Sequence, residues 1–165
     1  MSAQRETLTW TGFGDATREL SRSIVASGFE PDVVVAIARG GLLPGGAIAY
    51  GLGVKSCGAL NVEFYTGVGT VLEAPVLLSP DLDLASLAGK RVLLVDDVAD
   101  SGRTLALAVD LLAARAADVR SVCLYTKPGS IARPDFVWRE TDLWIDFPWS
   151  LRGSVVQEDA AAASA

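Results

Sequence analysis

Three carboxylates and a turn suited to phosphate occur together in residues 91–105. Four apolar residues at 92–95 begin the stretch, as a strand buried on both faces requires, and Asp96, Asp97 and Asp100 follow where the strand would reach solvent. Residues 101–104 then lead into an apolar pattern that predicts a helix through about residue 117. A turn that feeds a helix N-terminus with free N–H groups favours anion binding. Carboxylates on one side of such a turn and phosphate donors on the other suit a phosphorylated sugar that bears hydroxyls.

A second turn of the same kind lies upstream. Residues 33–37 have the β-branched composition of a buried strand, and Arg39, Gly40 and Gly41 follow them. Paired glycines let the backbone approach a ligand closely, and Pro44 suits the first turn of the next helix. Because the carboxyl ends of parallel strands share one edge of a sheet, we expect the two turns to lie close together.

The alternation of strand and helix patterns from residue 15 to residue 126 predicts an α/β fold. We expect a mostly parallel, twisted sheet flanked by helices on both faces, with a flexible lid loop within residues 66–90 and a small C-terminal hood. Residues 1–14 are expected to be irregular, with Asp15 capping a helix that runs to about Ser27. One domain is predicted over residues 1–155, followed by an Ala-rich tail at 156–165.

Composition excludes several classes of function. The 165 residues carry a formal net charge of −6 and no basic patch, which argues against nucleic-acid binding. No apolar run is long enough for a membrane span, and the polar N-terminus lacks a signal-peptide pattern, so we expect a cytoplasmic protein. The absence of histidine removes Ser/His/Asp catalysis and most zinc sites. Cys57 and Cys123 lie in apolar, strand-like sequence and are expected to be buried.

The motif at residues 92–105 resembles the motif that binds 5-phosphoribosyl 1-pyrophosphate (PRPP) in type I phosphoribosyltransferases. It has the apolar strand, two acidic residues, a spacer, and then a small residue, glycine, any residue and threonine. Residues 38–45 look like the pyrophosphate loop of that family, at the expected distance upstream. Lys127 after a strand, together with residues 142–149, is similar to the xanthine-guanine branch.

This resemblance implies transfer of a 5-phosphoribosyl group from PRPP–Mg²⁺ to a nitrogenous base, with release of pyrophosphate. It assigns Asp96 and Asp97 to the ribose hydroxyls and to Mg²⁺, a metal whose hard oxygen ligands also suit a chain without histidine. Arg39 and Gly40 are assigned to pyrophosphate. Four consecutive residues of the turn are assigned to the 5-phosphate: Ser101, Gly102, Arg103 and Thr104.

The choice of base rests on other residues. An aspartate at the position of Asp100 is typical of the 6-oxopurine enzymes, where it takes or shares the proton on N7 of the base, and this makes Asp100 the catalytic candidate. The resemblance also implies that Lys127 donates to O6, that Trp144 stacks on the ring and that Ile145 offers backbone contacts to the base edge. This set favours guanine, xanthine or hypoxanthine as the acceptor and points to purine salvage.

The pattern departs from the family at three points. Arg103 fills a variable position that is often Gly or Lys. Residues 64–66 (Phe-Tyr-Thr) stand where purine enzymes usually carry a Ser-Tyr pair, and the C-terminal half lacks a clear acidic residue for a second Mg²⁺. Three alternatives are open on the sequence: a PRPP-binding regulator that keeps the fold, a phosphoribosyltransferase for another base, and an aspartyl phosphoacceptor domain. The aromatic C-terminal stretch and the resemblance favour a homodimer or homotetramer.

Overall fold

The structure, a computed structural model, describes residues 4–63, 66–67, 70–71, 76–77 and 82–156. In chain order its strands and helices are β1 (Arg5–Thr7), α1 (Trp10–Ala26), β2 (Val33–Ala38), α2 (Leu42–Leu52), β3 (Cys57–Glu63), β4 (Thr66–Gly67), β5 (Thr70–Val71), β6 (Val76–Leu77), β7 (Arg91–Ala99), α3 (Arg103–Ala113), β8 (Asp118–Thr126), β9 (Phe136–Glu140) and β10 (Trp144–Asp146). A short 3₁₀ helix, Leu84–Leu87, precedes β7.

The central sheet has six strands in the order β6-β3-β2-β7-β8-β9. Five of them run parallel, and β6 pairs antiparallel with β3 at one edge. In the middle of the sheet β2 lies beside β7, with Val33 opposite Val92 and Ala36 opposite Val95. These strands are apolar along their length because a parallel sheet is covered on both faces. The prediction of a mostly parallel sheet is confirmed.

Helices cover the two faces of the sheet. Side chains that alternate along the strands separate into two cores, with Val34 and Leu93 in one and Val35 and Leu94 in the other. The second core also contains the buried residues of α3 and the 3₁₀ helix. The first core also contains buried side chains of α1 and α2, namely Ala16, Leu20, Ile24, Ile48 and Ala49. The two turns singled out in the sequence therefore join buried strands to helices that pack on opposite faces.

A small parallel pair, β1 with β10, lies outside the main sheet. Arg5 is opposite Trp144 and Thr7 is opposite Asp146, and Leu8 continues the pairing through its N–H to the carbonyl of Asp146 (3.0 Å). We call these residues, 5–8 and 144–146, the hood. The sequence predicted a hood built from the C-terminal region alone, but half of it comes from the N-terminus.

The beginning of the chain differs from the prediction. Residues 1–14 were expected to be irregular, but α1 begins at Trp10 rather than near Asp15, and Thr9 caps it by accepting the Gly12 N–H (3.0 Å). Trp10 and Phe13 pack against Trp149 at the other end of the chain, with ring centroids 6.1 and 5.4 Å apart. A local pattern does not contain that partner, so the first turns of the helix resembled an irregular lead-in.

Three smaller expectations also change. The helix α3 ends at Ala113 rather than near residue 117. Cys57 is exposed because it begins β3 outside the core, whereas Cys123 is buried as expected. Much of the predicted lid lies outside the described residues, so the lid stays a prediction. Where that region is described, β4 pairs with β5, and the 3₁₀ helix buries Leu87 in what was read as loop.

Candidate active site

The two adjacent carboxylates lie within β7 rather than beyond its end. Strand β7 continues to Ala99, and Val98 and Ala99 still pair with β8. The sequence placed Asp96 and Asp97 where the strand reaches solvent, but Asp96 is buried with 9% of its surface exposed, and Asp97 is partly buried. The N–H of Asp97 donates to Oδ1 of Asp96 (2.9 Å), and the N–H of Val98 donates to Oδ1 of Asp97 (2.8 Å).

Burial makes this acidic pair costly to ionise. Desolvation raises the pKa of Asp96 well above its ordinary value, and the nearby charge of Asp97 raises it further. Desolvation also raises the pKa of Asp97, against the stabilising effect of the Val98 N–H. Two carboxylates held this way favour a ligand that brings hydroxyl donors or positive charge, since either would stabilise their ionised forms.

The turn after β2 packs directly against this pair. A side chain at Gly40 would overlap the carboxylate of Asp97, and one at Gly41 would overlap the carbonyl of Val95 and lie 2.7 Å from that of Ile37. The clashes at Gly41 are with backbone, so only glycine at that position lets the turn lie this close to β7, whereas at Gly40 the Asp97 side chain would have to move. Arg39, which directly precedes Gly40 in this turn, is exposed, and the peptide bond between Ala38 and Arg39 is cis.

A cavity of about 490 Å³, which we call the edge cavity, opens between this turn and the acidic pair. Its lining consists of Arg39, Gly40, Leu43, Asp97, Trp149 and Ser150. The structure thus brings both predicted members of the upstream turn, Arg39 and Gly40, to one opening with Asp97. Trp149 stacks on Phe147 with ring centroids 4.8 Å apart, and it also lines this cavity.

The turn between β7 and α3 encloses a smaller space of about 200 Å³, the turn cavity. Its lining residues are Asp96, Val98, Ala99, Asp100, Ser101, Gly102, Thr104 and Leu105. Three of the four residues predicted to hold the 5-phosphate therefore line it. Arg103, the fourth, is exposed at the first position of α3 and does not belong to that lining.

Gly102 shapes the turn cavity. Its φ of +77° is left-handed, the conformation that glycine adopts without strain. A side chain there would also overlap Oγ of Ser130 and lie 2.6 Å from the amide nitrogen of Ala132. The N–H of Ile131 donates to the carbonyl of Ser101 (3.0 Å), so the segment after Lys127 braces the turn from outside.

The third opening, of about 600 Å³, lies beside the hood, and we call it the hood cavity. Ten residues line it: Arg5, Val98, Asp100, Lys127, Trp144, Ile145, Asp146, Phe147, Ser150 and Leu151. The structure thus brings together Asp100, Lys127 and the adjacent residues Trp144 and Ile145, which come from three separate parts of the chain. The ammonium group of Lys127 donates to the carbonyl of Leu143, and Trp144 is 68% exposed.

Several lining residues were not found by sequence reasoning. Arg5 enters from β1, where its Nε donates to Oδ2 of Asp146 (2.7 Å) and its Nη2 bonds to Oδ1. A three-residue strand carries no periodic signal that would reveal this. Ser150 and Leu151 follow the aromatic segment, and nothing in their residue types marks them as part of a site. Their position in the cavity lining depends on the course of the backbone after Trp149.

The three openings adjoin one another along one edge of the sheet. Val98 and Asp100 line both the turn cavity and the hood cavity. Ser150 lines both the hood cavity and the edge cavity, while Asp96 and Asp97 face the turn cavity and the edge cavity respectively. A single ligand could therefore extend from the phosphate turn past the acidic pair and into the hood cavity, with Asp100 at the junction.

The acidic pair is also the metal candidate. Within the described ranges, no group of three or more His, Cys, Asp or Glu side chains forms a cluster that could hold a metal by itself. Asp96 and Asp97 nevertheless offer carboxylate oxygens beside the edge and turn cavities. Magnesium is commonly bound by one or two carboxylates together with substrate phosphates and water, and this pair fits that pattern.

Comparison with known proteins finds a matching family and several relatives. The family described as the phosphoribosyl transferase domain matches residues 4–154. The chain is 36% identical to the xanthine-guanine phosphoribosyltransferase of Ruegeria sp. over 124 residues, which cover 72% of this chain and 68% of the relative. It is 30% identical to the enzyme of the same name from Gluconobacter oxydans over 145 residues, or 87% and 83% of the two chains.

Solved structures show the same fold. The purine phosphoribosyltransferase from Pyrococcus horikoshii superposes with a TM-score of 0.79 at 32% identity, covering 91% of this chain and 97% of that one. The xanthine-guanine-hypoxanthine phosphoribosyltransferase of Helicobacter pylori superposes with a TM-score of 0.74 at 18% identity, covering 96% and 99%.

No helix in the described part of the chain is both long and apolar enough to cross a membrane.

Proposed function

The chain belongs to the phosphoribosyltransferase family, and we propose that it transfers the 5-phosphoribosyl group from PRPP to a 6-oxopurine, namely guanine, xanthine or hypoxanthine. The reaction breaks the bond between C1 of the ribose and the pyrophosphate and forms a bond between C1 and a nitrogen of the base. Its products are a purine nucleotide and pyrophosphate, so the enzyme serves purine salvage.

On the donor side, the turn cavity receives the 5-phosphate. The N–H groups and hydroxyls of residues 101–104 lead into the N-terminus of α3, where backbone donors and the helix dipole favour an anion. Arg103 adds positive charge from the outer side of the turn. Gly102 keeps the backbone in the left-handed conformation that lets Ser101 and Thr104 line the same space.

The acidic pair acts on the ribose. Asp96 and Asp97 accept hydrogen bonds from its 2- and 3-hydroxyls, which stabilises the carboxylates that burial destabilises. As the bond to pyrophosphate breaks, positive charge develops at the sugar carbon, and fixed negative charges nearby stabilise it. In the edge cavity, Arg39 and the Gly40 amide offset the negative charge that accumulates on the pyrophosphate.

Magnesium fits this site through the same two carboxylates. Asp96 and Asp97 would hold it, directly or through water, as part of the PRPP–Mg²⁺ complex. When bound, the metal supplies positive charge that offsets the charge of the pyrophosphate. Every other role in the site falls to the chain's own side chains and amides.

On the acceptor side, the purine occupies the hood cavity. Trp144 exposes its ring to stack on the base, and the backbone of Ile145 contacts the base edge. Lys127 donates to O6; it already donates to the Leu143 carbonyl, so it presents N–H groups and no acceptor. Adenine carries an amino group at that position, and two donors facing each other disfavour it.

The observation that supports this proposal most strongly is the position of Asp100. It lines both the turn cavity and the hood cavity, so it lies where a base would meet the sugar carbon. There it accepts or shares the proton on N7 as the new bond forms, general-base assistance worth about 10²–10⁴ in rate.

A panel of bases tests the proposal. The protein, PRPP and Mg²⁺ are incubated separately with hypoxanthine, guanine, xanthine, adenine, uracil and orotate, and pyrophosphate release is measured. We expect release with the three 6-oxopurines. A preference for adenine would remove the roles given to Asp100 and Lys127. No release with any base, combined with tight binding of PRPP, would favour a PRPP-binding regulator.

We also propose that the enzyme is cytoplasmic, binds neither nucleic acid nor membrane, and assembles as a homodimer or homotetramer. Exposed apolar side chains support assembly: Tyr50 is 91% exposed and Leu42 46%, and both belong to α2. Light scattering coupled to size-exclusion chromatography measures the oligomeric state directly. A monomer at micromolar concentration would contradict the assembly.

A further inference from the structure

One ion pair in the hood cavity has no role in the chemistry proposed above. In the described part of the chain, the charged side chains that line this cavity are Arg5, Asp100, Lys127 and Asp146. Asp100 and Lys127 are assigned to N7 and O6, which lie on the same side of a 6-oxopurine. Arg5 and Asp146 remain, and they bond to each other.

We propose that Arg5 determines which substituent at C2 of the purine is preferred, and that it favours the carbonyl of xanthine. This inference rests on the proposed function, because it concerns the choice among the three 6-oxopurines. Those bases differ only at C2, which carries hydrogen in hypoxanthine, an amino group in guanine and a carbonyl oxygen in xanthine. C2 lies opposite C5, the ring carbon that carries N7, and its substituent is separated from O6 by N1, so it faces away from Asp100 and is distinct from the atom assigned to Lys127.

The geometry of the Arg5–Asp146 pair leaves hydrogen-bond donors, rather than acceptors, available to a base. Both carboxylate oxygens of Asp146 bond to Arg5, one of them to Nε at 2.7 Å. The Asp146 side chain is only 11% exposed, whereas that of Arg5 is 52% exposed. Asp146 is therefore less accessible to the amino group of guanine than the guanidinium is to a carbonyl oxygen. Arg5 keeps the N–H groups of Nη1, for which the described residues provide no partner.

Arg5 is held in place from two further directions. Its position on β1 is opposite Trp144 on β10, and its guanidinium carbon lies 5.9 Å from the centroid of the Trp144 ring. A base stacked on Trp144 thus has the guanidinium within reach at the rim of the same cavity. A fixed guanidinium also suits xanthine for a second reason, because xanthine is the most acidic of the three bases and is partly anionic near neutral pH.

The test compares kcat/KM for the three bases in wild type, Arg5→Gln and Arg5→Lys. Loss of one charge-assisted hydrogen bond corresponds to a decrease in kcat/KM of about tenfold or more. We therefore expect Arg5→Gln to lower kcat/KM for xanthine by that factor relative to kcat/KM for hypoxanthine. Hypoxanthine, which has no C2 substituent, is the internal reference. Arg5→Lys keeps the charge and should recover part of the loss.

A matched control separates specificity from support of the hood. Arg139 also anchors β1, through Glu6 (3.0 Å), but it does not line the hood cavity. Arg139→Gln should leave the ratio of xanthine to hypoxanthine unchanged. An equal loss for all three bases in Arg5→Gln, no loss at all, or the same altered ratio in Arg139→Gln would each overturn the proposal.

A further variant covers the case in which Arg5→Gln folds poorly. Asp146→Asn removes the paired carboxylate and keeps the guanidinium, so the ratio of xanthine to hypoxanthine should be retained or raised. A fall in that ratio would contradict the role of Arg5. If the wild type used none of the three bases, the proposed function itself would fail, whereas activity with unaltered ratios in every variant would refute only this inference.

Discussion

The donor side and the acceptor side of the site are built in different ways. The donor side comes mainly from one continuous segment, residues 96–104, in which the end of β7, a single glycine turn and the start of α3 follow one another. The acceptor side is assembled from β1, the turn after β8 and residues 144–151, which are far apart in the chain. The geometry of a short continuous segment is set by its own backbone. The geometry of an assembled cavity depends on how separate elements pack against one another.

The two sides of the site therefore differ in which substitutions they tolerate. The glycines of the donor side have neighbours that leave no room for a side chain, so its shape follows from backbone geometry. The acceptor side instead depends on side chains such as Arg5 and Trp144, both of which are exposed by more than half. Substitutions on that side can alter the choice of base and leave PRPP binding intact.

The largest expected effect is at the junction of the two sides. Asp100→Ala should keep PRPP binding and lower kcat by about 10²-fold or more, because the group that takes the N7 proton is lost. Single-turnover kinetics and PRPP titration measure the two quantities separately. Asp142→Ala, at an exposed acidic residue outside the three cavity linings, is the control. Full activity of the Asp100 variant would exclude Asp100 as the base.

Gly102 tests the donor side by itself. Gly102→Ala should lower the free energy of unfolding by about 1–3 kcal/mol through overpacking against Ser130 and Ala132, in addition to the backbone strain. Gly28 is a matched control because its φ of +79° is nearly the same and a side chain there would meet nothing within 4 Å. Urea denaturation of the two variants isolates the packing cost. Equal losses would show that packing around Gly102 does not shape the turn.

Trp144 tests the acceptor side in the same way. Trp144→Ala should raise KM for the base about tenfold, since aromatic stacking on a nucleobase contributes about 1–3 kcal/mol. The affinity for PRPP should not change, because Trp144 does not line the turn cavity or the edge cavity. Trp144→Phe keeps an aromatic face and should recover most of the loss. Weaker PRPP binding in Trp144→Ala would mean that the two sides are not separable.

The smallest effect concerns the pH dependence of stability. Burial raises the pKa of Asp96, so the folded protein binds that proton more tightly than the unfolded chain does. The free energy of unfolding should therefore fall as pH rises from the ordinary aspartate pKa through the raised one. Asp96→Asn should be more stable than wild type at neutral pH, by about 1 kcal/mol, and should bind PRPP–Mg²⁺ more weakly.

Asp32 provides a control with the opposite sign. Its hydrogen bonds with Arg91 lower the pKa of Asp32 to about 2, so its contribution to stability is present above the ordinary pKa and is lost as pH falls toward 2. Asp32→Asn should lose stability at neutral pH, where Asp96→Asn gains it. Denaturant titrations at several pH values measure both. A loss of stability in Asp96→Asn would contradict the cost assigned to its burial.

The same contrast explains what the sequence could reveal. The order of strands and helices and the phosphate turn were predictable, because a buried parallel strand and a glycine before a helix have local causes. Asp96 and Asp97 were identified, but their burial was not, since it depends on β7 continuing beside β8 to Ala99. The start of α1 was missed because Trp10 and Phe13 find their partner in Trp149.

The acceptor side was only partly predictable. Asp100, Lys127, Trp144 and Ile145 were named through resemblance, and the structure brings them to one cavity. Arg5 was not found, because its significance comes from pairing with Asp146 across almost the whole length of the chain. Spacing in the sequence does not encode such a contact, and only the pairing of β1 with β10 creates it.

A crystal structure with the product nucleotide GMP tests the central claim most directly, because this ligand spans both sides at once. We predict that its phosphate lies against residues 101–104 and its ribose hydroxyls against Asp96 and Asp97. Its purine should stack on Trp144, with O6 facing Lys127 and N7 facing Asp100. A phosphate bound away from that turn, or a base outside the hood cavity, would contradict the account.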